Sequence, residues 1–428
     1  MQVSHKGLYW AHYFFLVFIN DIISELETDP HLFADDTFLL DVFCDPAESA
    51  FRLNRDLQKI YEWGVLWKVL FNPIKTNHMI VTNRQIVYPT LFMNDVPVTF
   101  TTSHCHLGLV ITPSLSWGKH IDRCIIKASR RVNLLSRVKY KLPRFALSSI
   151  YKTLVRPILE YCDVIYDSCS ISESMALEKI QRRAALVCTG AYRHTKTELL
   201  LAELGWQSLR VRRKNHKLIL LHNIVHNNCP DYLKTILPRP SQCDYNLRST
   251  DNASLPTPAS RLSSKRNWFV ASTIRHWNSM SEHIRSAKTV CIFKTMLNKT
   301  IGNSTPFIPR LYKYMVGKDA INHARLRLGL SALQHHRFKY NLIDDKSCLL
   351  CLHPKEDANH FIFHCPAYAT LRVSLLEGLS DLLPINIYGN KSVLENILLF
   401  GNSDIDYDVM MSVFSMFQNY IHETGRFR

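Results

Sequence analysis

His31-Leu32-Phe33-Ala34-Asp35-Asp36-Thr37-Phe38-Leu39-Leu40 decides how the first hundred residues are read. Two adjacent carboxylates stand between apolar runs of strand-forming residues, which puts Asp35 and Asp36 at the tip of a tight hairpin. Carboxylates placed there can face a divalent ion, because hard cations such as Mg²⁺ take oxygen ligands. Two such ions clamp the attacking and leaving oxygens in phosphoryl transfer. A plain acidic turn has the same four residues, so the surrounding chain must decide between them.

Downstream of that stretch, Phe51, Leu53, Leu57, Ile60 and Trp67 recur at helical spacing through residues 46–69, with Pro46 suited to a first helical position. Trp63 and Trp67, four apart on that helix, read as core residues. His78–Thr82, Ile86–Met93 and Val96–Phe100 read as strands, Asn94-Asp95 as the turn between the last two, and Pro97 demotes the final one to an edge. From Trp117 to about Leu233 the pattern is helical. Leu147, Ile150, Leu154 and Ile158 form one apolar stripe, with Pro157 predicting a kink. Leu177, Ile180, Ala184 and Val187 form another, opened by Ser172 and closed by Gly190. Pro238, Pro240, Pro256 and Pro258 among Ser, Thr and Asn make a linker, and Gly302, Pro306 and Pro309 mark a further boundary. The expected fold class is α+β, with boundaries at 1–116, 117–236, 237–310 and 311–428.

The chain has 428 residues, 46% hydrophobic and 21% charged, which excludes disorder throughout, a collagen-like fibre and a pure coiled coil. Lys and Arg number 52 against 36 Asp and Glu, so the formal charge is 52 − 36 = +16, a surplus that favours a polyanionic partner. Residues 119–144 carry Lys119, Arg123, Lys127, Arg130, Arg131, Arg137, Lys139, Lys141 and Arg144 against Asp122 alone. A second cluster is Arg210, Arg212, Arg213, Lys214 and Lys217, with no acid between Glu203 and Asp231. Such side chains give sequence-independent, salt-sensitive phosphate contacts, or simply a solvated helix face. No run reaches the roughly 18 apolar residues of a spanning helix. The twelve Cys do not read as a disulfide framework in a chain this long, so an intracellular, reduced and non-secreted setting is expected. His222 and His226 lack the glutamate of a zinc-protease helix.

Near the other end, Cys348, Cys351, His360 and Cys365 follow the pattern C-x2-C-x8-H-x4-C, with His364 as a spare. Two closely spaced pairs suit tetrahedral zinc, against the alternative of buried thiols beside surface histidines.

Phe14–Ile23, the Phe33–Asp36 tetrad, Phe71-Asn72-Pro73-Ile74-Lys75-Thr76 and His106-Leu107-Gly108 together resemble the palm of reverse transcriptases from non-LTR (LINE, jockey-like) retrotransposons, in order and approximate spacing. Tyr140–Pro143, Arg156–Tyr161, Glu203–Trp206, Ile274–Asn278 and His323–Gly329 extend the resemblance through the thumb to almost the whole chain. The resemblance implies an RNA-directed DNA polymerase: a partial palm, a largely helical thumb, and a C-terminal region with the Cys/His module. It implies Mg²⁺ at Asp35 and Asp36, nucleotide addition assisted by Lys75, and a primer grip at His106, Leu107 and Gly108. RNA template and DNA primer become the partners, with Arg130, Arg131, Lys139, Lys141 and Arg144 along the duplex, in the nucleus and cytoplasm. Many such elements also end in a Cys/His segment.

The departures matter too. The family's first catalytic aspartate lies upstream of the helix with which this chain begins, so Asp21, Glu25, Glu27 and Asp29 cannot replace it by chain order. Of the family's Gln- and Ser-containing segment before that helix only Gly7 is kept, and in intact members it supports template and incoming nucleotide. The expectation is therefore a fragment that is inactive alone. The alternative is a non-catalytic nucleic-acid-binding protein that keeps the thumb and zinc module.

Overall fold

The computed structural model describes residues 13–238, 254–258, 268–300 and 316–427. It divides into two compact units, one ending at His120 and one beginning at Ile121.

In the first unit, residues 13–19 are helical and run into a 3-10 turn over Asn20–Ile23. Asp29–Phe33 and Asp36–Leu40 then pair as an antiparallel ribbon in which Phe33 faces Asp36. Its two-residue turn is Ala34-Asp35. Positive φ at Ala34 (53°) but not at Asp35 is the pattern of a II′ turn, whose twist matches that of the strands. The Pro46–Trp67 helix follows, capped by the Asp45 carboxylate on the Ala47 N–H (2.9 Å), with Pro46 at its first position. It ends at Lys68 in the left-handed conformation.

The strand runs expected between residues 78 and 100 are much shorter than their sequence pattern. Only Asn77–His78, Phe92–Met93, Val96–Pro97 and Thr99–Phe100 are paired. Asn94 and Asp95 both have positive φ (50° and 61°), the I′ geometry this dipeptide favours. Pro97 lies in a two-stranded ribbon, where its missing N–H costs no ladder bond on the open side. His104–His106 and Leu109–Ile111 form another hairpin. Among the described residues the four ribbons share no common sheet. The core is accordingly small: Ile19, Ile22, Ala50, Leu57, Ile60, Leu91, Met93 and Val98. Trp63 sits half-buried against Phe18 and Phe71 and donates to Asp21 (3.2 Å), but Trp67 is 47% exposed, so only the first of the pair is core.

One buried carboxylate organises this unit. Asp56 is fully buried on the Pro46–Trp67 helix and accepts the N–H of Glu27 (3.0 Å), the N–H of Thr28 (2.9 Å) and the Thr28 hydroxyl (2.7 Å). It thereby fixes the two residues that enter the Asp35-Asp36 ribbon. Asp56→Ala strands buried donors, at about 1–3 kcal/mol for each left unsatisfied. We expect about 3 kcal/mol in urea unfolding, with Asp56→Asn recovering part of it; a loss under 1 kcal/mol would contradict this role.

The second unit is helical. Gly118–Arg137 crosses into it and buries Ile121, Cys124, Ala128, Val132 and Leu135 on one face. Arg144–Ile150 continues into a π-turn, Tyr151–Val155, and then Arg156–Glu160. The interruption expected at Pro157 is this π-turn, which absorbs the N–H that proline lacks. Ile171–Thr189 opens with a reciprocal capping box between Ser170 and Glu173, so the cap is two residues earlier than Ser172, and it closes on Gly190 at φ 66°. A Cβ on Gly190 would stand 2.5 Å from Ile321. The close approach lets Arg325 Nε reach the Gly190 carbonyl (2.8 Å) from the Lys318–Arg327 helix.

Leu209–Val225 packs on Phe269–Asn278 and Val290–Thr300 around Trp277 and Phe293. A separate core, with Phe361, Leu379, Leu398, Phe414 and Phe417, is built from residues 326–421. His323 is fully buried beside it and donates Nε2–H to the Leu398 carbonyl (2.7 Å); burial brings its imidazole down to about 4 and keeps it neutral. Of the segment 237–310 expected to be linker-rich, 239–253, 259–267 and 301–310 lie outside the described residues, 268–300 instead forms helices packed on Leu209–Val225, and Leu255 exchanges two bonds with the Asn278 side chain.

Candidate functional sites

Asp35 and Asp36 are exposed at the ribbon tip. Among the described residues, no third His, Cys, Asp or Glu brings a ligand atom to them. The hairpin's neighbour is informative. Leu107 and Gly108 form a two-residue turn, both with positive φ (45° and 82°), as a I′ hairpin demands. The preceding His106 ring packs on Phe38, one residue past Thr37 on the Asp36–Leu40 strand, with centroids 5.0 Å apart. Two motifs some seventy residues apart in sequence are thus side by side. Lys75 is exposed on a separate loop shaped by Asn72, whose side chain accepts the Ile74 N–H (3.0 Å). Gly7 lies outside the described residues.

The two basic clusters have different fates. Arg130, Arg131 and Lys141 are exposed, and Lys139 lies over the Tyr140 ring (4.6 Å). Arg144 instead meets Glu203, which is itself buried (Nη1–Oε1 2.5 Å), and Glu203 also pairs with Arg327. The second cluster is largely turned inward, against the phosphate-binding reading. Arg212 pairs with Glu160, Arg213 with Asp167 (3.1 Å) and Lys217 with Asp167 and Ser272 (3.0 Å). Arg213 and Lys217 are almost fully buried, and His216 meets Asp163 at 2.6 Å. The acids absent from residues 204–230 come from a different segment, 160–167, which local charge counting cannot see. Arg210 and Lys214 alone of the five are exposed.

Cys348, Cys351, His360 and Cys365 converge, with all four candidate ligand atoms within 4.8 Å of one another. The left-handed Leu352 (φ 60°) closes the turn after Cys351, and the Cys348 N–H binds the His353 carbonyl (2.8 Å). A π-turn over His360–His364 presents His360 and Cys365 to the same point, the Cys365 N–H binding the His360 carbonyl (2.8 Å). Cys365 Sγ lies 3.9 Å from both Cys348 Sγ and Cys351 Sγ, and Cys351 Sγ lies 3.3 Å from His360 Nε2. These are not disulfide distances, and the cysteines are free. Sulfurs at 2.3 Å from one tetrahedral centre would be about 3.8 Å apart, so the spacing fits zinc. Burial and the adjacent thiols push Cys365 up to about 12, a protonation state that a divalent cation would reverse. His364 is exposed and outside the group.

Sequence reasoning missed the supports of this group. Glu356, 3.9 Å from Cys348 Sγ, is buried in a two-pronged pair with Arg426 (2.6 and 2.7 Å). Arg372 donates to the carbonyls of Ile362 (2.8 Å) and Cys365. Arg426 carries no local signal. Asp56 was missed as well, although a carboxylate within the stripe Leu53, Leu57, Ile60 is a signal that could have found it.

No family model matches the chain. Over 198 residues, 44% of the chain, it is 24% identical to the RNA-directed DNA polymerase from mobile element jockey of Drosophila funebris, 22% of that protein's length. Over 193 residues, 42% of the chain, it is 24% identical to the probable RNA-directed DNA polymerase from transposon X-element of Drosophila melanogaster, 21% of that length. The matched part spans about a fifth of these curated relatives. The resemblance read from the sequence, to jockey-like non-LTR retrotransposon polymerases, is shown by these matches. Among the described residues no helix is long and apolar enough to cross a membrane.

Proposed function

We propose that the chain is part of a non-LTR retrotransposon reverse transcriptase. In this reading residues 1–116 belong to the palm, 117–236 to the thumb, 237–310 to a linker-rich segment whose helices at 269–300 pack on Leu209–Val225, and 311–428 to a C-terminal region with a zinc module. The observation that carries it is the contact of Phe38 with His106, which sets the hairpin bearing Asp35 and Asp36 against the hairpin bearing Leu107-Gly108. A metal-binding turn beside a primer-contacting turn is what polymerisation on an RNA template and DNA primer requires. Mg²⁺ bound by the two carboxylates would stabilise charge on the transferred phosphoryl group, and Lys75 would act near the leaving group. Arg130, Arg131, Lys139 and Lys141 would follow the duplex backbone, with Arg144 already engaged by Glu203. The reduced thiols fit an intracellular setting.

With no third carboxylate among the described residues beside Asp35 and Asp36, that site leaves developing charge uncompensated, a loss of about 10²–10³-fold or more. Purified 428-residue chain, given primer, template, dNTPs and Mg²⁺, should therefore incorporate nucleotide only at background, equally in Asp35→Ala. Incorporation that disappears in Asp35→Ala would overturn the inactivity. A second reading, a non-catalytic nucleic-acid-binding protein, is favoured by the concentration of charge in residues 117–238, where 22 Lys and Arg face 9 Asp and Glu, 22 − 9 = +13. It predicts nucleic-acid affinity unchanged by Asp35→Ala.

A further inference from the structure

The basic surplus does not extend to the Cys/His region. Residues 311–428 contain 12 Lys and Arg against 12 Asp and Glu, a net charge of 12 − 12 = 0. Around the group itself, Arg337, Lys339, Lys346 and Lys355 face Asp344, Asp345, Glu356 and Asp357, four against four, with Lys355 paired with Asp357 (2.7 Å), while Arg372 and Arg426 are turned to backbone carbonyls and to Glu356. Phosphate binding needs a local cationic excess, and this region has none.

The group also points the wrong way for a nucleic-acid contact. Cys348, His360 and Cys365 are at most 3% exposed and belong to, or adjoin, the core that includes Phe361, Tyr368 and Tyr420. What the Cys348–Cys351 turn shows outward is aliphatic: Leu349, Leu350 and Leu352 are all exposed. Bases stack on aromatic rings or guanidinium planes rather than on leucine.

Everything that touches the group ties it to the rest of its own module. The Glu356–Arg426 pair fastens the last described turn of the chain behind Cys348, and Arg426 also reaches the Ala332 carbonyl (3.1 Å). Tyr420, on the Tyr407–Glu423 helix, donates to the Phe361 carbonyl (2.9 Å). Three thiolates, an imidazole and a divalent ion sum to −1. Arg372, held at the Cys365 carbonyl, is the cation placed to balance that charge.

We infer that the Cys348–Cys351–His360–Cys365 metal group is an internal staple of a C-terminal module without net charge and holds no nucleic acid. Nucleic-acid affinity belongs to residues 117–238. This rests on the zinc reading of the group, and the test separates the two. Full-length chain is loaded with Co²⁺ as a spectroscopic stand-in, and its affinity for a labelled RNA–DNA duplex is measured by fluorescence anisotropy. The outward-facing pair Leu349→Asp with Leu352→Asp should keep the tetrahedral cobalt–thiolate spectrum and change Kd by less than about twofold, although two new anions at a phosphate interface would weaken it about tenfold or more. Arg130→Ala with Arg131→Ala should weaken Kd about tenfold and leave the cobalt spectrum intact. A tenfold loss in the leucine pair with the spectrum retained overturns the staple. Absence of any cobalt–thiolate spectrum in the wild-type chain removes the metal reading, and the inference falls with it.

Discussion

Glu203→Ala destabilises the second unit by about 3–5 kcal/mol, the usual cost of removing one member of a buried ion network. Glu203 is 4% exposed, and its carboxylate is shared by the guanidinium groups of Arg144 and Arg327. Substitution by Ala takes the shared anion from two largely buried cations, whose desolvation is no longer offset. Thermal unfolding should show a drop of many degrees. Glu203→Gln, which keeps an acceptor without the charge, should fall between. Apolar replacement of all three residues together should restore much of the loss, because the cost lies in stranded charge rather than in missing attraction. A shift of under 1 kcal/mol in Glu203→Ala would mean that the triad is worth no more than a surface pair.

If the Cys348–Cys351–His360–Cys365 group holds zinc as proposed, loss of that metal is the second large effect. Cys348→Ser with Cys351→Ser, or a strong chelator, should cost residues 316–427 on the order of 5 kcal/mol or more, since a site formed only in the folded chain returns its binding energy as stability. Limited proteolysis should then cut within this module while the helices of residues 121–225 stay protected. Because the thiols must ionise to bind, with Cys365 held high when metal-free, the metal-dependent stability should weaken as pH falls. Identical melting with and without chelator would show that the core of Phe361, Phe414 and Phe417 suffices alone.

The elements that could be read from the sequence were those fixed by local rules. Asp45-Pro46 starts its helix, Gly190 ends one, and Asn94-Asp95 turns its hairpin through a backbone conformation these residues favour. Spacing alone gathered Cys348, Cys351, His360 and Cys365. What failed did so for non-local reasons. Apolar runs at 78–82 and 86–91 stayed largely unpaired, because a strand needs a partner that its own residues do not supply. Arg212, Arg213 and Lys217 looked like a phosphate surface until Glu160 and Asp167 folded onto them. Arg144 and Arg327, over 180 residues apart, give no sequence sign that they share Glu203.

In the proposed reading, this jockey-like chain meets nucleic acid through the exposed face of residues 119–141. The most direct test is the affinity of the full chain for an RNA–DNA primer–template duplex, measured across a salt series, with and without Arg130→Ala and Arg131→Ala. Log K should fall linearly with log salt, with a slope shallower by about 2 in the double variant. Binding that ignores salt, or a slope that the two substitutions leave unchanged, would contradict it.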